Sequence, residues 1–474
     1  MGKTGIGLTV GYGMSLIGGL LSLTIYARML GPETYGRLAV YLALVEAFQG
    51  ICFQWHRLAL VRFWGGLGHA EADAYLKTSH LTWIFIAIVG TFVWLVVVIF
   101  SGGHRGEWAV VAFVALGKSA ALYTQEIARA SGSVIRYALA SLLLTVGATC
   151  IGIFAWLASH SMTLTLLATA ATFILQTVLC GYDHAGVIWR ACFDKAQLRT
   201  MLAYGLPLVP VFLATTALTR IDRPILAGFE DSSVVGIYAA TTGLVANAIA
   251  AACLLVVTPS YPWLLREKQL RSELEHRALH AKIGLLMLTG VLALSIVIVL
   301  ARDLAIPILL GRTIGIAAQP IVEPLLTIAV IGAFRTHFFD QAYHLHARTK
   351  ALMVINISTL IMAVCGIYAG AYLFGLHGLI GSMIFVNFLS LIISGFFARK
   401  LVDMRRVLKN GGYLLAIFCF SIWFGEVLRK AIQIELQSST LATIISTAIG
   451  VILFVGTYLI GNFGLIRYGL SRRL

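Results

Sequence analysis

Apolar residues in this chain run in long blocks separated by short polar connections. A helix needs about 20 consecutive apolar residues to cross the hydrocarbon layer of a bilayer. Fourteen blocks reach that length: 5–29, 36–61, 80–101, 108–128, 133–157, 162–182, 201–227, 234–262, 281–301, 318–345, 350–374, 376–398, 411–429 and 440–465. Two of them, 36–61 and 318–345, carry charges. A third, 201–227, contains Pro207 and Pro210, which remove backbone donors and predict a kink. No connection is long enough to hold a soluble domain; the longest on the side opposite the N-terminus is 302–317. The first block is flanked by Lys3 and shows no A-x-A cleavage pattern, so it reads as a retained helix and not a signal peptide. The pattern predicts an all-α, polytopic membrane protein with about fourteen transmembrane helices.

Composition agrees with the pattern. The chain is 59% hydrophobic and 12% charged, against roughly 25% charged in soluble domains. Lys and Arg exceed Asp and Glu by 35 to 20. In a soluble protein that excess suggests nucleic acid, but here the basic residues sit between apolar blocks, as in membrane proteins. With the N-terminus inside, the inner connections hold about three times as many Lys and Arg as the outer ones, which places both termini in the cytoplasm. The seven cysteines are dispersed and form no C-x-x-C, so neither a disulfide framework nor a zinc ribbon is expected.

One turn repeats. Arg28-Met-Leu-Gly31-Pro32-Glu33-Thr-Tyr35-Gly36-Arg37-Leu-Ala39 is echoed by Gly228-Phe-Glu230-Asp231-Ser-Ser-Val-Val-Gly236-Ile-Tyr238-Ala239, with Gly36 on Gly236 and Ala39 on Ala239. Each opens the second helix of a six-helix block. The predicted organisation is an N-terminal block at 1–200, a second at 201–400 and two extra helices at 401–474. An even number of helices per block makes the repeats parallel in topology.

The segment A-R-M-L-G-P-E-T-Y-G at 27–36 resembles the N-terminal signature of Wzx/PST-type polysaccharide flippases, which belong to the MOP superfamily with MATE and MurJ-like transporters. The segment at 220–239 is similar to that family's mid-chain motif, and Gly375-Leu-His-Gly378-Leu-Ile-Gly381-Ser resembles its late turn. The resemblance implies two pseudo-symmetric six-helix lobes around a central cavity. It also implies movement of an undecaprenyl-pyrophosphate-linked oligosaccharide across the bacterial inner membrane by alternating access. Implied partners are that glycolipid, membrane lipids and polymerase or export machinery; nucleic acid is not expected.

Charges inside spans are costly and face a bundle interior or an aqueous cavity. Positions eleven apart on a helix differ by only about 20°. Glu46 and Arg57 make such a pair, with Phe53 between them; Lys118, Gln125 and Arg129 make a second stripe; His337, Gln341, His344 and Arg348 make a third. Together with Arg28, Arg220, Arg223 and Arg335, the cations Arg57, Lys118 and Arg129 are candidates for holding a pyrophosphate, which Arg grips with its planar fork. For Arg28, Arg129 and Arg348, snorkelling from a helix end is the plainer alternative; for Arg220 and Arg223 it is a local pair with Asp222. Arg335 has no acidic residue within four positions on its face. Tyr26, Tyr41, Trp55 and Tyr123 are candidates for stacking on sugars.

Glu46, Glu126, Asp222, Asp340, His337 and His344 are the coupling candidates. Burial disfavours a carboxylate and a neighbouring cation favours it, so such groups can carry a proton; a permanently paired carboxylate is the alternative. His344 and His346 point about 200° apart on a helix, so the histidines do not converge on a metal. No metal or cofactor is expected beyond a coupling H+ or Na+. The chain has no G-x-G-x-x-G, P-loop or G-x-S-x-G, so it reads as a transporter and not an enzyme. The alternatives are a MATE-like cation exporter, which favours an acidic cavity, and a membrane-embedded glycan polymerase or ligase, which favours a large outer loop.

Overall fold

A computed structural model describes residues 3–64, 69–100, 105–190, 192–346, 348–436 and 439–470. Among them every regular element is helical, as lipid requires, because a helix satisfies its backbone groups internally. In chain order these are α1 (Lys3–Cys52), α2 (Gln54–Phe63), α3 (His69–Phe100), α4 (Arg105–Ala130), α5 (Val134–Leu142), α6 (Ala148–Ser159), α7 (Met162–Ala185), α8 (Val187–Arg190) and α9 (Lys195–Gly205). They continue with α10 (Val209–Arg220), α11 (Asp222–Leu226), α12 (Ser232–Leu270), α13 (Glu273–Leu310), α14 (Arg312–Phe334), α15 (Asp340–Leu345), α16 (Thr349–Ala398), α17 (Met404–Leu436) and α18 (Ser439–Leu470).

All fourteen predicted blocks fall on helical segments, but the helices divide differently. Among the described residues nine helices are long and apolar enough to cross a membrane, or eleven if two bent pairs each count as one span. The difference has three sources. Helix α1 holds the first predicted block and most of the second, joined at Gly31 (φ 73°, ψ 173°), and α16 holds the eleventh and twelfth, joined at Gly375 (φ 57°, ψ −139°). Glycine alone takes such backbone cheaply, so each of these runs is two helices kinked at a glycine, where the predicted boundaries lie. Helix α4 falls short because Lys118 and its polar end, Tyr123 to Gln125, lower its mean hydropathy. The predicted connection 302–317 is also corrected: it is helix on both sides of Gly311, and α14 follows α13 directly. The block with Pro207 and Pro210 is bent by 44° around a 3₁₀ turn at Leu206–Leu208.

The chain forms two compact units, Met1–Gly236 and Ile237–Leu474. The first extends past residue 200 because α9, α10 and α11 pack on α1, α2 and α3. Its core joins Ala59, Leu60, Tyr75, Leu76, Tyr123, Ile127 and Met201. In this unit the two repeated turns meet. A Cβ on Gly36 would collide with the Ser232 carbonyl, and one on Gly236 with the Pro32 carbonyl, so both positions require glycine for backbone approach. In the second unit, Leu292, Ile296 and Leu300 of α13 pack against Leu414 and Ile417 of α17 and Phe454 of α18. Arg429 of α17 adds an ion pair to Asp303 of α13 at 2.6 Å.

Candidate functional site

The helix carrying the first charged stripe breaks. Phe53, between α1 and α2, is a distorted helical residue (φ −116°, ψ −19°) that keeps its backbone bonds to Gln49 and from Arg57, and the two segments meet at 47°. Its ring is fully buried against Phe48 and Trp83. Phe53 therefore does not share the polar face of Glu46 and Arg57, contrary to the periodicity. Burying the ring at the break directs Glu46 and Gln49 before it, and Gln54 and Arg57 after it, toward α4 and α10.

Helix α4 answers with Lys118, Glu126 and Arg129. Lys118 pairs with Glu46. Arg57 places Nη2 2.8 Å from Glu126 Oε1 and donates from Nη1 to Gln54 Oε1 at 2.9 Å. Gln54 also accepts from Gln49 at 3.3 Å. Arg129 Nε lies 2.6 Å from Glu126 Oε2, near enough for an ion pair but not aligned as a hydrogen bond. Glu126 is thus clamped between two guanidinium groups.

These residues back a cavity of about 350 Å³ lined by Glu46, Gln49, Gly50, Gln54, Phe212, Thr216, Thr219 and Arg220. At Gly50 a Cβ would stand 2.5 Å from Thr216 Oγ1, so α1 and α10 approach closely there. Among the described residues Arg220 makes no ion pair or hydrogen bond. Around the cavity four cations (Arg57, Lys118, Arg129, Arg220) stand against two carboxylates (Glu46, Glu126). A polar pocket with surplus, donor-rich cations suits an anion with several oxygens.

Other predicted residues lie elsewhere. Arg28 is exposed on α1, and Asp222 and Arg223 are buried on α11; none of the three lines the cavity. Gln125 turns from its stripe to donate to Ser141 at 2.8 Å. Tyr26, Tyr41, Trp55 and Tyr123 are all buried, so none offers a face to a sugar.

Arg335, Asp340, His337 and His344 belong to the second unit. Arg335–Phe339 form a π-helical turn, which makes residues five apart neighbours. Arg335 therefore has a local acidic partner after all, Asp340 at 3.5 Å, and it also donates to Asn356. The extra residue in the turn breaks the third stripe. Gln341 is buried, His337 half-buried, and His344 and Arg348 exposed. Among the described residues no three His, Cys, Asp or Glu side chains gather as a metal site.

Sequence reasoning passed over Gln49, Gln54 and the α10 threonines. The signal for the glutamines was present, since 46, 49, 54 and 57 are the polar positions of one face once the break at Phe53 is allowed. Nothing local paired α10 with α1.

A multi-pass helical bundle of this kind has counterparts among solved membrane-protein structures. The chain is similar to a solved structure described as lipid II flippase MurJ, at 11% identity and a TM-score of 0.75, over 97% of this chain and 99% of that one. It is also similar to a multidrug resistance MATE family transporter of the MOP superfamily, at 14% identity and a TM-score of 0.53, over 85% and 98%. A further MATE multidrug transporter matches at 12% identity and a TM-score of 0.54, over 85% and 95%. These likenesses concern the fold. The sequence matches no protein-family model and no curated protein.

Proposed function

We propose that this chain is a flippase for an undecaprenyl-pyrophosphate-linked oligosaccharide repeat unit, working by alternating access in the bacterial inner membrane with both termini cytoplasmic. The observation that carries the reading is the cavity in the first unit, with Arg220 and Glu46 on its wall and, behind the wall, Lys118, Arg57 and Arg129 paired with Glu46 and Glu126, four cations to two carboxylates in all. A cation exporter calls for the opposite balance. The fold's likeness to a lipid II flippase supports a lipid-linked substrate. The charge asymmetry of the connections supports the orientation, and the repeated turns support two blocks, 1–200 and 201–400, with 401–474 appended.

In this reading Arg220 meets the pyrophosphate first. Lys118 and Arg57 are already paired with Glu46 and Glu126, so they attract the anion without creating one deep electrostatic well. A site that must also release its ligand needs such moderation. The polyprenyl tail stays in lipid, and H+ or Na+ drives the cycle. The test is binding of undecaprenyl pyrophosphate to the purified protein in detergent. Losing one charge-assisted hydrogen bond is worth about 1.5–3 kcal/mol, so Arg220→Gln is expected to weaken binding by about 10- to 100-fold with little change in stability. Unchanged affinity removes Arg220 from the site, and no binding by the wild type ends the reading.

A further inference from the structure

The two ends of the α13–α17 pair are charged differently. Contacts between these helices advance together along both: Arg406 donates to the Ala278 carbonyl at 3.5 Å, a Cβ on Gly411 would touch Leu288, and Arg429 pairs with Asp303. The helices therefore run parallel, and both begin at one end of the second unit. At their far end three cations, Arg302, Arg429 and Lys430, stand among three carboxylates, Asp303, Glu426 and Glu323 of α14. At the starting end Arg277 pairs with Glu273, Arg406 pairs with Asp403, and Glu275 caps α13 through Ser272. Five more cations stand there: Lys282 on α13, Arg399 and Lys400 after α16, and Arg405 and Lys409 on α17. All five are exposed, and among the described residues none has a carboxylate partner. The two helix N-termini add partial positive charge.

These charges stand at an apolar boundary. Phe396 and Phe397, at the end of α16 just before Arg399, are exposed, and so are Leu286, one turn beyond Lys282, and Leu408 and Tyr413 on α17. Arg399 holds its guanidinium carbon 4.2 Å from the centre of the Phe396 ring. Large apolar side chains exposed on membrane-spanning helices face hydrocarbon, so the cations beside them stand at headgroup depth. At that depth a fixed positive charge meets lipid phosphate.

We propose that Lys282, Arg399, Lys400, Arg405 and Lys409 form a binding site for the phosphodiester headgroup of an anionic phospholipid, whose acyl chains run over the exposed apolar residues beside them. Arg399 and Arg405 offer planar forks to the phosphate oxygens, and the three lysines add point charges. A zwitterionic headgroup brings its own ammonium group, which these cations repel. The site therefore selects by the net charge of the headgroup and not by the tail. It belongs to the second unit, and nothing in it depends on what the cavity of the first unit carries.

Native mass spectrometry of the whole protein in a neutral detergent tests the site, with phosphatidylglycerol compared against phosphatidylcholine of the same acyl chains. The wild type should bind the anionic lipid at least about tenfold tighter. The triple variant Arg399→Gln, Arg405→Gln, Lys409→Gln changes only exposed side chains. It should unfold at the wild-type temperature and lose the preference to within about twofold. Replacing Arg399 and Arg405 by lysine should keep most of the preference, and so should Lys430→Gln at the far end of α17. Equal affinity of the wild type for the two lipids overturns the proposal, as does a preference that survives in the triple variant or one that Lys430→Gln alone abolishes. A second measurement needs no variant: added salt should weaken the wild-type preference, because exposed charges are screened, and a salt-independent preference overturns the site. Undecaprenyl pyrophosphate that displaces phosphatidylglycerol at equal concentration would assign these cations to the transported lipid and overturn it too.

Discussion

Glu126→Gln separates stability from ligand affinity at the candidate site. Glu126 stands between Arg57 at 2.8 Å and Arg129 at 2.6 Å, with its side chain 13% exposed. At an effective dielectric of about 20, opposite charges at such a separation attract by about 6 kcal/mol, much of it offset by desolvation. Glutamine keeps the shape and one acceptor but leaves two guanidinium groups without a counter-charge. Removing one partner of a buried pair costs about 3–5 kcal/mol. Arg57 retains Gln54, and Arg129 is 26% exposed, so a loss of about 2–3 kcal/mol is expected here. The same change adds one net positive charge beside the cavity. Undecaprenyl pyrophosphate should then bind about tenfold tighter, worth about 1.4 kcal/mol. At one hundred times its Kd it should return about 2.7 kcal/mol of stability. Thermal unfolding in detergent, with and without the lipid, reads both effects. Transport should fall because a tighter site releases slowly. A variant as stable as the wild type, or one destabilised but not rescued by the lipid, refutes the clamp.

Two further outcomes follow from the packing. Arg335→Gln should destabilise the protein by about 3 kcal/mol, because Asp340 is left buried without its partner, and adding Asp340→Asn should restore most of that loss in unfolding experiments. If Arg335→Gln instead folds normally and abolishes transport, Arg335 belongs to the substrate site and not to a structural pair. Gly50→Val should push α1 from α10, since its Cβ alone would stand 2.5 Å from Thr216 Oγ1; lipid binding should fall at least tenfold, and Thr216→Ala should recover part of it.

Much of the fold was legible because lipid imposes one rule on every span: enough apolar residues in an unbroken helix. That rule locates helices but says little about how consecutive ones join. Gly31, Gly311 and Gly375 leave helical geometry and turn the chain within a residue or two; the predicted boundaries at 29/36 and 374/376 fall on two of these kinks, whereas the connection drawn at 302–317 was far longer than the single break at Gly311. The charged stripes were legible only as far as the helices are regular. The stripe on α4 kept Lys118 and Arg129 and lost Gln125 to Ser141, because a neutral amide finds a partner on α5 while the charges need counter-ions from α1 and α2. The stripe around His337 failed because the π turn at Arg335–Phe339 inserts a residue into the period. A turn of that kind has no clear sequence mark, and here it brings Asp340 to Arg335.

The breaks lie where the charges are. Phe53 interrupts the helix between Glu46 and Arg57, and the π turn begins at Arg335. A straight helix presents one stripe, and its charges at eleven-residue spacing all face one neighbour. Breaking it at a buried aromatic lets the charges before the break meet Lys118 and those after it meet Glu126, two turns further along α4. Each cation is then neutralised locally, while Gln49 and Gln54 bridge the gap and face the cavity. Such an arrangement holds charge in the bundle without presenting a bare field, and leaves Arg220 on the cavity wall outside these ion pairs. Straightening the break should therefore matter more than any single charge. Phe53→Ala removes the buried ring that holds the bend and should cost about 3–5 kcal/mol. Because the bend sets both ion pairs, it should also lower affinity for undecaprenyl pyrophosphate more than Arg220→Gln does. Intact affinity in a folded Phe53→Ala protein would mean that the pairs, and not the bend, organise the cavity.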